Sequence, residues 1–165
     1  AQADYRNAND YFTRSLQLGQ YYQKTKADAY YWRGESKYRL ERYPEAANDM
    51  RLYLEFATDK NSQEYGLALY CLGYSLFKQK QYNSARDWFI RCVQNGRTQE
   101  ASVAGDAYNR IGDCYFYERR FEEARQQYVQ AVVTSPSLGD YSLFQEGIVK
   151  GLQRDYTGKI GRAHV

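Results

Sequence analysis

Histidine is all but missing from this sequence: of 165 residues only His164 carries an imidazole, one place from the end. A neutral-pH general base or a histidine-ligated metal therefore has almost no material to draw on. Cysteine is sparse as well. Cys71, Cys92 and Cys114 are odd in number, widely spaced and free of any CxxC pair, so they read as small buried hydrophobes rather than a zinc site. Two prolines exclude a collagen-like or Pro-rich linker chain. No apolar run approaches eighteen residues and no basic-then-apolar leader opens the chain, so no transmembrane segment is expected. A nucleophile elbow and a Gly-rich phosphate loop are absent too. A dominant sign of charge is also lacking. Basic residues number 23 and acidic ones 20, interleaved along the chain, and with a pI near 8.6 no nucleic-acid partner is expected. Neither an enzyme nor a cofactor or metal is indicated.

What is abundant is tyrosine. There are 19, with seven Phe and two Trp beside them, and each Tyr joins a large apolar ring to a polar tip suited to half-exposed surfaces. A hydrophobic fraction of 43% with 26% charged residues is that of a globular chain. The aromatics also fall on a ruler. Gly34, Gly73 and Gly112 stand 39 residues apart. Nine places after each comes an aromatic (Tyr43, Tyr82, Phe121), twelve after each an alanine (Ala46, Ala85, Ala124), and sixteen after each a large residue (Met50, Phe89, Tyr128). Gly147, Tyr156, Lys159 and Ala163 fit a fourth, degraded copy, and Tyr5, Ala8 and Phe12 fit the second half of an opening one.

Each copy reads as two helices. Leu69, Leu72, Gly73, Leu76 and Phe77 recur at three- and four-residue steps, as do Tyr82, Ala85, Phe89 and Cys92 or Val93. A short polar link such as Lys80-Gln81 separates the two stripes, and Pro44 suits a first helical turn. Between copies, Thr58 to Ser62 and Asn95 to Thr98 carry turn and capping residues. With no sustained period-2 alternation, the chain is predicted all-α. Helices joined by so short a link must run antiparallel, and the recurring Gly and Ala mark where one helix makes room for the ring or thioether of the other.

The segments Trp32-Arg33-Gly34 with Tyr43-Pro44-Glu45-Ala46, Tyr70-Cys71-Leu72-Gly73-Tyr74 with Tyr82-Asn83-Ser84-Ala85, and Ile111-Gly112-Asp113 with Phe121-Glu122-Glu123-Ala124 resemble the tetratricopeptide repeat. The resemblance covers roughly residues 5 to 160 and ends its third copy on Pro136. It implies a right-handed superhelical solenoid of antiparallel helix pairs, arranged as a partial repeat over 1–24, repeats at about 25–60, 61–98 and 99–136, and a partial repeat over 137–160. Residues 161–165 are set apart as a tail. The period departs from the family's usual 34 or so, and the five extra residues are placed in an extended first helix. Long units of this kind resemble those of bacterial cell-envelope repeat proteins, which implies a periplasmic or envelope setting. Because the array begins and ends mid-unit, the chain is expected to be a segment of a longer one.

In such a solenoid the first helices line a concave side, and on them the residues turned from the hairpin partner are Tyr31, Glu35 and Arg39, then Tyr70, Tyr74 and Lys78, then Asn109, Asp113 and Tyr117, with Phe144, Ile148 and Leu152 following. This aromatic strip is the expected binding face for a partner peptide or domain. The Lys and Asn pair with which the family grips C-terminal carboxylates is replaced here by Tyr31 with Glu35 and by Tyr70 with Tyr74, which disfavours chaperone tails. Two alternatives stand beside the peptide groove: stacking of the rings on a glycan, and a homo-oligomer formed through uncapped repeat ends.

Overall fold

The computed structural model describes residues 2–18, 23–95 and 100–162, and among them it contains helices and no strand. The helices are α1 (Gln2–Leu18), α2 (Gln23–Arg39), α3 (Tyr43–Phe56), α4 (Gln63–Lys78), α5 (Tyr82–Asn95), α6 (Ala101–Tyr117), α7 (Phe121–Thr134) and α8 (Gly139–Arg162), with a 3-10 turn at Pro136–Leu138. They form two compact units, residues 1–99 and 100–165. In the first, each helix from α1 to α5 packs on the next, and α2 also touches α4. In the second, α7 packs on both α6 and α8.

The three hairpins α2/α3, α4/α5 and α6/α7 close by one repeated device. Glu41, Lys80 and Arg119, 39 residues apart, all take the left-handed conformation, with φ of 59°, 60° and 59°. Each then presents its amide to a carbonyl three residues back, and the following residue reaches five back: Glu41 N–H to Tyr38 and Arg42 N–H to Lys37, Lys80 N–H to Phe77 and Gln81 N–H to Leu76, Arg119 N–H to Phe116 and Arg120 N–H to Tyr115. This is a Schellman ending, which satisfies carbonyls that a helix C-terminus leaves bare. Rings clasp across the same turn. Tyr38 meets Tyr43 at 6.1 Å, Phe77 meets Tyr82 at 5.5 Å and Phe116 meets Phe121 at 5.7 Å, all edge to face. Tyr43, Tyr82 and Phe121 are the first residues of their helices.

Deeper in each hairpin the glycine and the large residue sixteen places on are in contact. A Cβ added at Gly34 would lie 3.2 Å from Met50 Cε, at Gly73 2.9 Å from Phe89 Cδ1, and at Gly112 2.6 Å from Tyr128 Cε1. At Gly73 and Gly112 even a methyl would have to displace the facing ring, whereas at Gly34 Met50 and the equally close Asp49 Cβ would have to give by a few tenths of an ångström. Ala46, Ala85 and Ala124 are fully buried alongside, as are Met50 and Phe89, and Tyr128 nearly so. The long period also has a visible source. First helices run to 17, 16 and 17 residues against 14 for each second helix, and a six-residue link, 57–62, separates α3 from α4, with Ser62 Oγ accepting from Tyr65 N–H at 3.2 Å to cap α4.

The fourth copy is a correction. Instead of turning after Gly147, α8 continues unbroken to Arg162, and Gly147 has nothing within 4 Å of where a Cβ would stand. The reason is local: Gly151 occupies the place held by Tyr38, Phe77 and Phe116, so the clasp that closes the other turns has no ring to form it. Tyr156 and Lys159 fall within this one helix, while Ala163 and His164 lie outside the described residues, as does the stretch 96–99 of the expected Asn95 to Thr98 link.

Candidate partner-binding surface

Residues four apart share a helix face, and Tyr70, Tyr74 and Lys78 accordingly form one stripe along α4. The tyrosine rings are half-buried and 6.0 Å apart, and Lys78 is exposed. The Lys78 ammonium stands 5.3 Å from the Tyr74 ring and 6.0 Å from that of Tyr43, a cation over two π faces. Tyr74 is held from the neighbouring first helix by Tyr38, 5.6 Å away and edge-on. Tyr38 was missed by the sequence reading; its signal was the 39-residue recurrence of an aromatic four places after each glycine.

On α2, Glu35 and Arg39 pair with each other at 2.7 Å, with Arg39 55% exposed and Glu35 19%. Glu35 is also engaged from α4, where the Cys71 thiol donates to Oε2 at 3.6 Å. Burial, followed by the charge of Glu35, pushes the Cys71 thiol well above its ordinary range, so it remains a protonated donor. Burial likewise raises Tyr38 and Tyr31, which stay neutral phenols. The stripe of the first unit is therefore aromatic with one cation, Lys78, at its C-terminal end, while Glu35 and Arg39 neutralise each other.

Three expected members of the strip are not surface groups. Tyr31 is 5% exposed, its ring against Trp32 at 5.0 Å and Tyr53 at 5.1 Å. Asn109 and Asp113 are also buried. Tyr31 and Asp113 meet the second helix of their own hairpin, Tyr53 of α3 and Tyr128 of α7, so they do not face away from it as expected. Asn109 Oδ1 accepts from Ser142 Oγ of α8 at 2.8 Å. Asp113 accepts from Tyr128 of α7 at 2.9 Å and from Tyr141 of α8 at 2.9 Å, and pairs with Arg110 at 2.6 Å. Arg110 in turn holds Asp106 at 3.1 Å. In the second unit Tyr117 and, on α8, Phe144 and Leu152 are exposed, while Ile148 is half-buried.

Among the described residues no group of three His, Cys, Asp or Glu could hold a metal ion, and no helix is long and apolar enough to cross a membrane. Residues 105–137, from within α6 to the 3-10 turn, match the family model described as tetratricopeptide repeat. The chain has the tetratricopeptide-repeat fold. Solved structures similar to this repeat array include YrrB, described as a TPR protein with an unusual peptide-binding site, at TM-score 0.72 and 22% identity over 92% of this chain and 71% of that one. BtubC from P. vanneervenii gives 0.75 at 14% identity, covering 93% and 68%. A Rap protein complexed with Competence and Sporulation Factor gives 0.64 at 15%, covering 97% and 47%. No curated protein matches the chain by sequence.

Proposed function

We propose that this tetratricopeptide-repeat chain is a non-catalytic interaction scaffold that takes a partner peptide or domain on the Tyr70–Tyr74–Lys78 stripe of α4, bordered by Tyr38 and Arg39 of α2. The observation that carries this reading is the stripe itself. Its rings are fixed by neighbours, Tyr74 by the edge of Tyr38 and Tyr70 by Tyr74 and the buried Phe89, and left half-exposed, which presents contact area at little cost in side-chain entropy. Lys78 adds positive charge at one end, Arg39 being paired with Glu35, so the partner segment should bring apolar anchors together with an acidic residue. Similar folds support the role, since YrrB is described by a peptide-binding site and the Rap protein is complexed with Competence and Sporulation Factor. The envelope setting that the resemblance implies belongs to this proposal.

The test is a pair of exposed-face variants, Tyr70→Ser and Lys78→Glu, combined in one chain. Partner capture should fall at least tenfold while the helical circular dichroism is unchanged, and undiminished capture would reject the stripe. Self-association is a second reading with its own support: Tyr141, Leu143, Phe144 and Leu152 of α8 are 37%, 56%, 67% and 40% exposed. Sedimentation over a hundredfold range of concentration decides it, a strict monomer excluding it. A glycan array tests stacking on sugars.

A further inference from the structure

A second recess lies in the first unit, away from the α4 stripe. It is a cleft of about 350 Å³ between the N-terminal half of α2, the end of α3 and the 57–62 link, lined among others by Tyr31, Trp32, Tyr53, Asp28, Asp59 and Glu64. That volume is at the lower end of the range for small-ligand sites, which suits one long side chain. Its wall is aromatic. Tyr31 stands between Trp32 and Tyr53, both about 5 Å away, and Trp32 leaves 49% of its surface exposed. Its rim is acidic, with three carboxylates against the single ammonium of Lys24, although the whole chain carries net +3. Asp28 and Glu64 have no ion-pair partner among the described residues, and all three carboxylates lie near enough to Tyr53 to raise its phenol after burial has done so.

One further group points to a ligand. Tyr31, only 5% exposed and lining the cleft, has a hydroxyl with no hydrogen-bond partner among the described residues. The oxygen is not itself enclosed, although most of the ring is, so it opens to solvent at the cleft and is available as an acceptor. An indole face, an open phenol oxygen and unpaired carboxylates on one small cleft are complementary to a cation that is planar and rich in donors.

We infer that this cleft binds the guanidinium of an arginine side chain from a basic partner peptide. The guanidinium stacks on Trp32, forks its N–H donors onto Asp28 and Glu64, and gives one to the Tyr31 oxygen. Arginine is chosen over lysine because its plane matches the indole and its fork matches carboxylates, whereas an ammonium is a more strongly hydrated point charge.

The probe is the capped tripeptide acetyl-Gly-Arg-Gly-amide, titrated into the full chain while the two tryptophan indole N–H signals are followed by NMR. Trp88 of α5 is the internal control. A saturating shift at Trp32 with Trp88 still is the expected result. The citrulline tripeptide, neutral but of the same shape, should fail, and the lysine tripeptide should bind at least threefold more weakly. Asp28→Asn with Glu64→Gln, both at exposed positions, should weaken the arginine response at least tenfold with circular dichroism unchanged. No shift at Trp32, equal shifts at both tryptophans, equal binding of citrulline or lysine, or a response indifferent to the double variant would each overturn the assignment.

Discussion

Asp49 in the first unit and Asp113 in the second are both withdrawn from solvent, yet different chemistry holds them. Asp49 is met by cations alone. Arg33 grips both its oxygens, at 2.8 and 2.5 Å, and Lys37 adds a third contact at 2.8 Å, so α2 is clamped to α3 by a charge triad. Asp113 meets one arginine and two phenols drawn from α6, α7 and α8. The neighbouring packing follows the same division. Gly34 faces Met50, a bendable thioether with no polar role, while Gly112 faces Tyr128, whose ring fills the gap and whose hydroxyl serves Asp113. One repeat template thus admits two solutions, one separating packing from charge and the other uniting them in a single residue.

The sharpest way to break this comparison is to neutralise each aspartate in turn. Asp49→Asn leaves Arg33 and Lys37, whose side chains are only 16% and 12% exposed, facing a neutral amide. Breaking a buried pair from one side is costly, and a loss of about 3 kcal/mol is expected in urea unfolding. Asp113→Asn should lose only about 1 kcal/mol, because the amide oxygen still accepts a phenol and Arg110 keeps Asp106. Equal losses would show that the two sites are not different in kind.

The glycines come next. Gly112→Ala puts a methyl against a rigid, enclosed ring and should destabilise by about 2 kcal/mol. Gly34→Ala meets Asp49 Cβ as well as the flexible end of Met50, both at 3.2 Å, which asks for a shift of only a few tenths of an ångström and is partly offset by helix propensity, so it should lose about 1 kcal/mol. Gly73→Leu, against Phe89, is expected to lose about 3 kcal/mol by overpacking. If Gly34 and Gly112 respond alike, the contrast between thioether and ring has no energetic content.

Why some of this was legible in the sequence and some was not follows from the range of each interaction. The helices and their pairing were written in local periodicity, and the Gly–large pairs in a fixed offset within one hairpin. The left-handed turns were hidden because Glu41, Lys80 and Arg119 occupy a conformation usually marked by glycine. The binding strip was legible only in part, since Tyr31, Asn109 and Asp113 are met by side chains of α3, α7 and α8 that no spacing within one helix records. The Trp32 cleft was hidden for the same reason: its wall and rim come from α2, α3 and a link thirty residues further on.

At the turns the two units should not differ, and this calibrates the comparison. Lys80→Gly and Arg119→Gly each remove a left-handed side chain, worth roughly 1–2 kcal/mol, against the extra chain entropy that glycine loses on folding. Both should gain about 0.5 kcal/mol, and a gain at one turn alone would show that surroundings, not backbone conformation, set the energetics there.

The smallest effect is read in pH. Burial pushes the Asp113 carboxyl above its ordinary 3.8, against the opposing pull of Arg110 and of the hydrogen bonds from Tyr141 and Tyr128. A carboxyl that binds its proton more tightly in the folded state favours folding when protonated. Its contribution is therefore present at low pH and is lost as pH rises from 3.8 through the raised folded value. The difference in unfolding free energy between the parent and Asp113→Asn should thus shift in the parent's favour as the solution is acidified through that window. A difference that moves the other way would mean that Arg110 and the phenols outweigh burial, and that the second unit holds its aspartate as firmly charged as an ordinary salt bridge.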